Sequence, residues 1–188
     1  MALQLTPSQT VGPFFSIGLT WEGGALVVPE GTEGAFWLRG RVFDGDGAPV
    51  PDAVVETWQA NAHGKYAHAE DVQEKPLEEN FKGFGRVLTG TDGVFQFTTI
   101  KPGPVPGPGG ALQAPHLAII IFMRGLLKHL ATRIYFPDEP ANANDPVLAL
   151  VPPERRATLV AKQVSSRPGV LEWNVMLQGK DETVFFDY

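Results

Sequence analysis

The side chains in this sequence that could bind a metal ion are few. The chain has no cysteine, which excludes disulfides, zinc ribbons, iron–sulfur clusters and thiol nucleophiles. The spacing of its histidines does not resemble that of a zinc-binding helix or ribbon. Any metal site must therefore be made from a small set of imidazoles and phenols, namely His63, His68, His116, His129, Tyr66, Tyr135 and Tyr188.

Two other kinds of catalytic motif are missing. Residues 107–110, GPGG, lack the lysine and helix that follow in a phosphate-binding loop. No serine stands in a G-x-S-x-G setting, so the sequence gives no support for nucleophilic acyl transfer. We expect ordinary loop or surface roles for His63, His68 and His129, which leaves His116 as the histidine with the most informative surroundings.

His116 stands where a loop rich in proline and glycine, residues 102–110, enters a predicted strand. Residues 117–123 form an apolar run typical of a buried strand, and residues 94–100 alternate in the manner of another. The prolines and glycines between them predict an irregular loop. Because strand side chains alternate in direction, His116 and Ala118 should share one face of the sheet.

Short patterned segments separated by turn residues predict an all-β chain, an antiparallel β-sandwich with long irregular loops. Turn sequences at residues 44–47 and 90–93 indicate two hairpins. The one helix we expect covers residues 153–163, beginning at a proline. The predicted strands are residues 36–43, 53–59, 84–89, 94–100, 117–123, 129–136, 171–178 and 183–186.

The first 35 residues predict an extended arm, because they are rich in proline, glycine and threonine without a sustained period. The arm carries the apolar side chains Val11, Phe14 and Phe15, so it should pack either on its own domain or on a partner subunit. No composition break divides the rest. We expect a single domain over residues 1–188.

Charge and hydropathy exclude two classes of partner. The net charge is −6, which gives no footprint for nucleic-acid binding. The longest apolar run, residues 117–123, is too short to span a bilayer. No secretory signal is visible at the start, and a chain without cysteine fits a reducing compartment, so we expect a cytoplasmic protein.

Three long segments make the sequence resemble a known family. Residues 49–68 (PVPDAVVETWQANAHGKYAH), 81–104 (FKGFGRVLTGTDGVFQFTTIKPGP) and 132–136 (TRIYF) resemble the intradiol aromatic-ring dioxygenases, and the likeness spans roughly residues 40–137. The resemblance implies a catecholic acid as substrate, O₂ as co-substrate, and ring cleavage between the two hydroxyl-bearing carbons. Family enzymes use a ferric ion held by two tyrosinates and two histidines, a ligand set that suits a hard trivalent cation.

Carried onto this sequence, the resemblance gives an incomplete ligand set. Tyr66 matches the first tyrosine and, with a gap in the preceding loop, His116 matches the first histidine. The second tyrosine and the second histidine would stand at positions occupied by Val105 and Ala118. Neither of these side chains can donate a ligand atom. We therefore expect no iron in this chain and treat the four positions as a vestigial ligand set.

In hetero-oligomeric members of the family, α and β subunits share one fold and only β keeps the four ligands. The segments TPSQTVGPF and ETVFFDY near the two ends of this sequence fit the α type. The resemblance then implies a large hetero-oligomer whose Fe(III) belongs to a homologous β subunit. Substrate-binding residues in the neighbouring β pocket would come from the arm and from one strand: Thr10, Gly12, Pro13 and Arg133.

Two alternatives remain open from the sequence. One is a binding or structural module without chemistry, of the transthyretin-like kind, since residues 40–58 would also suit such a domain. The other is a self-sufficient, homo-oligomeric intradiol dioxygenase whose missing ligands are supplied elsewhere. Metal analysis of the chain expressed alone would separate the second alternative from the α-type interpretation.

Overall fold

The computed structural model describes residues 5–187. The chain is built mainly of β-strands, as the alternating segments predict. Six of the strands are at least five residues long, and the others are two or three residues long. In chain order the strands are β1 (Phe36–Phe43), β2 (Val54–Trp58), β3 (Phe84–Leu88), β4 (Val94–Thr99), β5 (Val105–Pro106), β6 (Leu112–Gln113), β7 (His116–Phe122), β8 (Leu130–Tyr135), β9 (Lys162–Gln163), β10 (Val170–Glu172) and β11 (Val175–Met176).

The strands form two main sheets. The first has the order β11-β1-β10-β9, with β4 also pairing with β1. Strand β4 runs antiparallel to β1, whereas β10 and β11 run parallel to it, so this sheet is mixed. The second sheet, β3-β2-β7-β8, is antiparallel throughout. The β-sandwich prediction is confirmed.

The two sheets bury their inner faces against each other. Strands β1 and β4 contribute Leu38, Val42, Phe95 and Phe97 to the core, and β7 contributes Leu117, Ile119 and Ile121. Alternation then places His116 and Ala118 on the outer face of the second sheet, as predicted. The same argument holds for β8, whose Ile134 lies in the core.

One prediction joined two strands into one. The expected strand 171–178 is split into β10 and β11, and the break faces Gly40 of β1. The backbone there comes so close that an added Cβ at Gly40 would lie 1.8 Å from the Trp173 carbonyl oxygen. The side chain of Asn174 replaces a ladder bond, since its Oδ1 accepts from the Arg41 amide at 2.9 Å.

Residues 183–186, also predicted as a strand, make only one isolated bridge, between Phe186 and Ala131. The prediction of a hairpin at residues 90–93 is wrong in its pairing. The turn itself forms, with the Gly90 amide donating to the Val94 carbonyl oxygen at 3.0 Å. However, β3 pairs with β2 while β4 pairs with β1, so this turn carries the chain from one sheet to the other.

The helices are shorter than predicted. In place of an α-helix over residues 153–163, a 3₁₀ helix covers Pro153–Leu159, and residues 162–163 form β9. The arm is not wholly extended, because α1 covers Phe15–Gly18. Further 3₁₀ helices cover Pro108–Gly110, Pro140–Asn144 and Leu148–Leu150. In the part of the chain that the structure describes, none of the helices has the length and apolar character needed to cross a membrane.

The loop rich in proline and glycine is more ordered than the sequence suggested. Strands β5 and β6 pair at its base, with Val105 opposite Gln113. Proline lacks an amide donor, which limits this ladder to two residues on each side. The small hairpin fixes the position of Val105, one of the four vestigial ligand positions.

Candidate functional site

Residues from three strands meet on the outer face of the second sheet. His116 lies directly opposite Tyr135, and Ala118 lies between Trp58 on one side and Arg133 on the other. Residues that oppose each other across an antiparallel ladder project to the same face. This face, which we call the outer-face site, therefore carries Trp58, His116, Ala118, Arg133 and Tyr135.

Tyr66 joins the outer-face site from the loop that follows β2. Its ring stacks on Trp58 with 5.8 Å between centroids and an interplanar angle of 9°. Its backbone amide donates to the Asp71 carboxylate at 2.7 Å, which fixes the loop. Burial is the main cause that raises the pKa of the Tyr66 phenol, although Arg133 opposes it. The neutral phenol is thus favoured over the phenolate that a ferric ion would need.

His116 is buried, with 7% of its surface exposed. Its Nδ1 lies 2.7 Å from the Ala114 carbonyl oxygen, and since a carbonyl can only accept, Nδ1 carries the proton. Burial, with the positive charge of Arg133 as the second cause, lowers the pKa of His116 to about 4. The imidazole is therefore neutral at physiological pH and is oriented by its own backbone.

Arg133 brings a fixed positive charge into the outer-face site. Its side chain is half-buried, and Nη1 donates to Gln113 Oε1 at 2.6 Å. It also hydrogen-bonds to the Tyr135 hydroxyl. Its positive charge lowers the pKa of Tyr66, against the effect of burial. It lowers the pKa of His116 in the same direction as burial does. The guanidinium thus lies close to three rings of the site, those of Tyr66, His116 and Tyr135.

A buried carboxylate, that of Asp145, fixes Tyr135 and the backbone beside the outer-face site. Asp145 is 1% exposed, and its Oδ1 accepts from the Tyr135 hydroxyl at 3.0 Å. It also accepts from the backbone amides of Ala114, Val147 and Leu148 at 2.7–2.9 Å. Burial, followed by this carboxylate, raises the pKa of the Tyr135 phenol far above its ordinary value. Asp145 therefore ties the 3₁₀ segments to β8 and to the entry of β7.

Sequence reasoning identified Tyr66, His116, Val105, Ala118 and Arg133 but missed the residues that hold them. Trp58 could have been placed here, because it alternates with the inward-facing Val55 and Thr57. No sequence signal pointed to Gln113 or Asp145, since Gln113 lies in the two-residue strand β6 and Asp145 follows a 3₁₀ helix, and both segments are too short for a periodic pattern.

The vestigial ligand set does not fit a ferric ion. Val105 is buried and apolar, and Ala118 ends at its Cβ, so only a phenol and an imidazole could donate. The pKa of that phenol is raised, and the neighbouring charge is positive, which opposes a cation. Among residues 5–187, no group of three or more His, Cys, Asp or Glu side chains is arranged to hold a metal ion.

The arm residues lie elsewhere, near the turn between β7 and β8. Thr10 Oγ1 accepts from the Gly125 amide at 2.9 Å, and Gly12 and Pro13 are exposed. Arg133 pairs with Ala118 toward the other end of these strands. The structure therefore does not bring the four predicted substrate-binding residues together within one chain.

The arm packs partly on its own chain. Trp21 stacks on Phe84 with 5.9 Å between centroids, and Arg86 Nη1 donates to the Leu19 carbonyl oxygen at 2.9 Å. By contrast, Phe14 is 76% exposed and Ile17 is 74% exposed. The start of the arm also borders a groove of about 450 Å³ lined by Val11, Phe122, Met123, Leu126 and His129.

The other titratable rings lie outside the outer-face site or at its edge. His63 is half-exposed and its Nε2 lies 3.7 Å from a Glu78 carboxylate oxygen. His68 contacts Trp58 edge-on, and His129 contacts Phe122. Tyr188 lies outside the described residues. These loop and surface positions are those predicted for the three histidines.

A two-sheet sandwich with a tyrosine and a histidine on one outer face is the arrangement that the motifs predicted. The sequence profile of the family described as Dioxygenase matches residues 11–179. The chain belongs to this family, the intradiol ring-cleavage dioxygenases, whose members are oxidoreductases. Family membership sets aside the transthyretin-like alternative.

Comparison with individual proteins shows which members of the family this chain is similar to. The protocatechuate 3,4-dioxygenase alpha chain of Burkholderia cepacia is 45% identical, covering 98% of each chain. The beta chain of the same enzyme from that organism is 36% identical over 78% of this chain and 65% of its own. Among solved structures, the dioxygenase domain of a carbohydrate-binding fusion from Streptomyces sp. SirexAA-E matches with a TM-score of 0.62 and 25% identity, covering 95% of this chain and 100% of that one.

Proposed function

We propose that this chain is the iron-free, α-type subunit of a hetero-oligomeric protocatechuate 3,4-dioxygenase. In that reaction both atoms of O₂ enter the catecholic acid, whose ring opens between the hydroxyl-bearing carbons to give 3-carboxy-cis,cis-muconate. The observation that carries the proposal is the pair Val105 and Ala118 at the two missing ligand positions. The near full-length likeness to an alpha chain supports it.

The Fe(III) of the assembly would be bound by a homologous β subunit. A catechol could chelate a metal bound there through both of its oxygens and would be activated by it toward O₂. The likeness of this chain to a beta chain supports such a partner, because two subunits of one fold can pair through related surfaces. The proposal places the assembly in the cytoplasm, as expected for a chain without cysteine.

The arm is the part of this chain that we propose reaches the partner. Thr10 is anchored on Gly125, and α1 begins at Phe15, so Gly12 and Pro13 lie in an exposed segment between two fixed points. The exposed Phe14 and Ile17 supply apolar surface for the contact. In this proposal Thr10, Gly12 and Pro13 line the substrate pocket over the β iron, and the arm packs on β rather than floating in solvent.

Arg133 is proposed as the charged contributor to the same pocket. A guanidinium presents donors in a planar fork that suits a carboxylate. The Gln113 and Tyr135 contacts hold the side chain, so little entropy would be lost when an anion pairs with it. The carboxylate of the catecholic acid is the group that it would meet.

The test is co-expression with the homologous chain that has Tyr and His at the positions aligned with 105 and 118. We expect the two chains to co-purify and to cleave protocatechuate with the intradiol product, while this chain alone does neither. Activity and bound iron in this chain alone would instead support the homo-oligomeric alternative. An active β chain that never associates with this chain would contradict the α-type role.

A further inference from the structure

The outer-face site is closed to cations in a way that the missing ligands alone do not explain. Arg133 lies directly opposite Ala118 across the β7–β8 ladder. Because Ala118 ends at its Cβ, the space beside it is open to the arginine side chain. The position of the missing histidine and the arginine thus lie opposite each other across the ladder.

The guanidinium is held in this place by two residues. Its Nη1 donates to Gln113 Oε1 at 2.6 Å, and Gln113 Nε2 donates to the Pro106 carbonyl oxygen at 2.9 Å. Gln113 also lies opposite Val105 in the β5–β6 hairpin. The hairpin that carries one missing ligand position is therefore tied to the arginine beside the other.

The second residue that holds the guanidinium in place is Tyr135. Its hydroxyl donates to Asp145, and the Arg133 guanidinium hydrogen-bonds to the same hydroxyl. The carboxylate of Asp145 is buried and accepts three backbone amides. An arginine guanidinium stays protonated in proteins. The Arg133 guanidinium is therefore always positively charged, and its contacts with Gln113 and Tyr135 restrict its movement away from the site.

We infer that Arg133 is an internal cation that takes the place of the metal charge on this face and by itself prevents metal binding there. The two lost ligands and the arginine are then separate barriers. Refilling positions 105 and 118 with the family's ligand types will not restore a ferric site while Arg133 stays. This barrier is a property of the isolated chain, whether or not a partner subunit supplies iron elsewhere.

The rival explanation is that the lost ligands are the whole barrier. The experiment that separates the two starts from the double variant Val105→Tyr with Ala118→His. Two triple variants add Arg133→Gln, which removes the charge, or Arg133→Lys, which keeps it. Each purified protein is titrated with ferric citrate, and bound iron is measured together with the visible tyrosinate-to-iron absorption band.

We expect the triple variant with Gln to bind iron at least roughly a hundredfold more tightly than the double variant, because a trivalent ion is repelled strongly by a half-buried unit charge. The triple variant with Lys should resemble the double variant. Equal binding by the double variant and the Gln variant would overturn the inference. Equal binding by the Gln and Lys variants would also overturn it, since charge would then be irrelevant.

Folding is followed by far-ultraviolet circular dichroism and thermal unfolding. Arg133→Met, which keeps a long apolar stem without charge, takes the place of the Gln variant if that protein unfolds. Arg133 lies on the outer face rather than in the core between the sheets, so we expect the variants to fold. If both neutral variants unfold while the Lys variant folds, the charge is structural and the inference is wrong.

Discussion

At the residue scale, Arg133 is the side chain whose role in catalysis can be tested most directly. Hydrogen bonds to charged groups contribute about 1.5–3 kcal/mol. In a reconstituted complex with β, we expect Arg133→Leu to lower kcat/KM for protocatechuate by roughly ten- to a hundredfold, by the same energies. Bound iron should stay unchanged, because the proposal assigns the iron ligands to β.

Catechol, which has no carboxylate, is the matched control substrate. A loss confined to the acid supports direct pairing with the carboxylate, and an equal loss on both substrates means that Arg133 shapes the pocket. Unchanged kcat/KM for both substrates would remove Arg133 from the proposed pocket and leave its role within the outer-face site.

Asp145 should be one of the residues on which stability depends most. Replacing it with alanine leaves a buried tyrosine hydroxyl and three backbone amides, two of them buried, without their acceptor. We expect a loss of about 3 kcal/mol or more in the free energy of unfolding, measured by denaturant titration. Asp46→Ala, at an exposed carboxylate in the turn after β1, is the control and should change stability by less than about 0.5 kcal/mol. Similar losses in the two variants would contradict the assigned role.

His116 makes the fold sensitive to acid. Its pKa is lowered from 6.5 to about 4 by burial and by Arg133, so the unfolded chain takes up a proton before the folded chain does. The neutral imidazole therefore favours the fold above pH 6.5, and this contribution is lost as the pH falls through 6.5 toward 4. We expect His116→Gln to flatten the stability profile across that window, measured by urea unfolding at several pH values. An unchanged slope would contradict a buried neutral imidazole.

Residues of the outer-face site could be predicted from the sequence, but the hydrogen bonds between them could not. Tyr66 and His116 were found from long motifs, and the alternation of β7 placed His116 beside Ala118. Gln113 and Asp145 could not be found, because a hydrogen bond between a strand and an irregular segment leaves no periodic signal. The contacts of Asp145 depend on how residues 140–159 fold back over the sheet.

At the element scale, the arm is a segment that exposes apolar side chains in the isolated chain. Apolar side chains as exposed as Phe14 and Ile17 are typical of surfaces that pack on a partner. Deleting residues 1–15 should therefore weaken association with β by about tenfold or more, or raise KM for protocatechuate by a similar factor. Analytical ultracentrifugation and steady-state kinetics measure the two effects.

The double substitution Phe14→Ser with Ile17→Ser gives a milder version of the same test, because it keeps the backbone of the arm. Thermal unfolding of the chain alone should be nearly unchanged, since both side chains face solvent there. Normal assembly and normal kinetics after the deletion would show that the arm has no role at the interface.

Strand prediction succeeded where one face of a strand is buried and failed where pairing is interrupted. Strand β1 was predicted with its observed bounds, because apolar and polar residues alternate along it. The segment after Gly169 shows the same alternation, yet the close approach of Gly40 to Trp173 divides it. Such an approach depends on the neighbouring strand and is invisible in local sequence.

Connections between strands were harder to predict than the strands. The turn at residues 90–93 has hairpin chemistry, but its two strands lie in different sheets. The helix prediction at residues 153–163 failed for a related reason. Short segments that cover a sheet are shaped by the groups beneath them, and here a 3₁₀ helix places Leu159 in the cluster around Tyr135.

At the scale of the whole molecule, the fold and the family follow from the sequence, while the division of labour in the proposed assembly follows from two small residues. Val105 and Ala118 remove half of the expected ligand set, and Arg133 adds a charge of the wrong sign for a metal. The chain keeps the fold of an intradiol dioxygenase, and in the proposed assembly it would contribute contact surface rather than a metal ion.

The measurement that tests this account most directly is the iron content of the purified chain, expressed alone in iron-supplemented medium. Metal analysis by mass spectrometry and a visible absorption spectrum are recorded for the chain alone and for the complex with β. We predict a colourless chain without stoichiometric iron and without ring-cleaving activity, beside a coloured complex with one iron per α–β pair. A tyrosinate-to-iron band with bound iron in the chain alone would contradict the account.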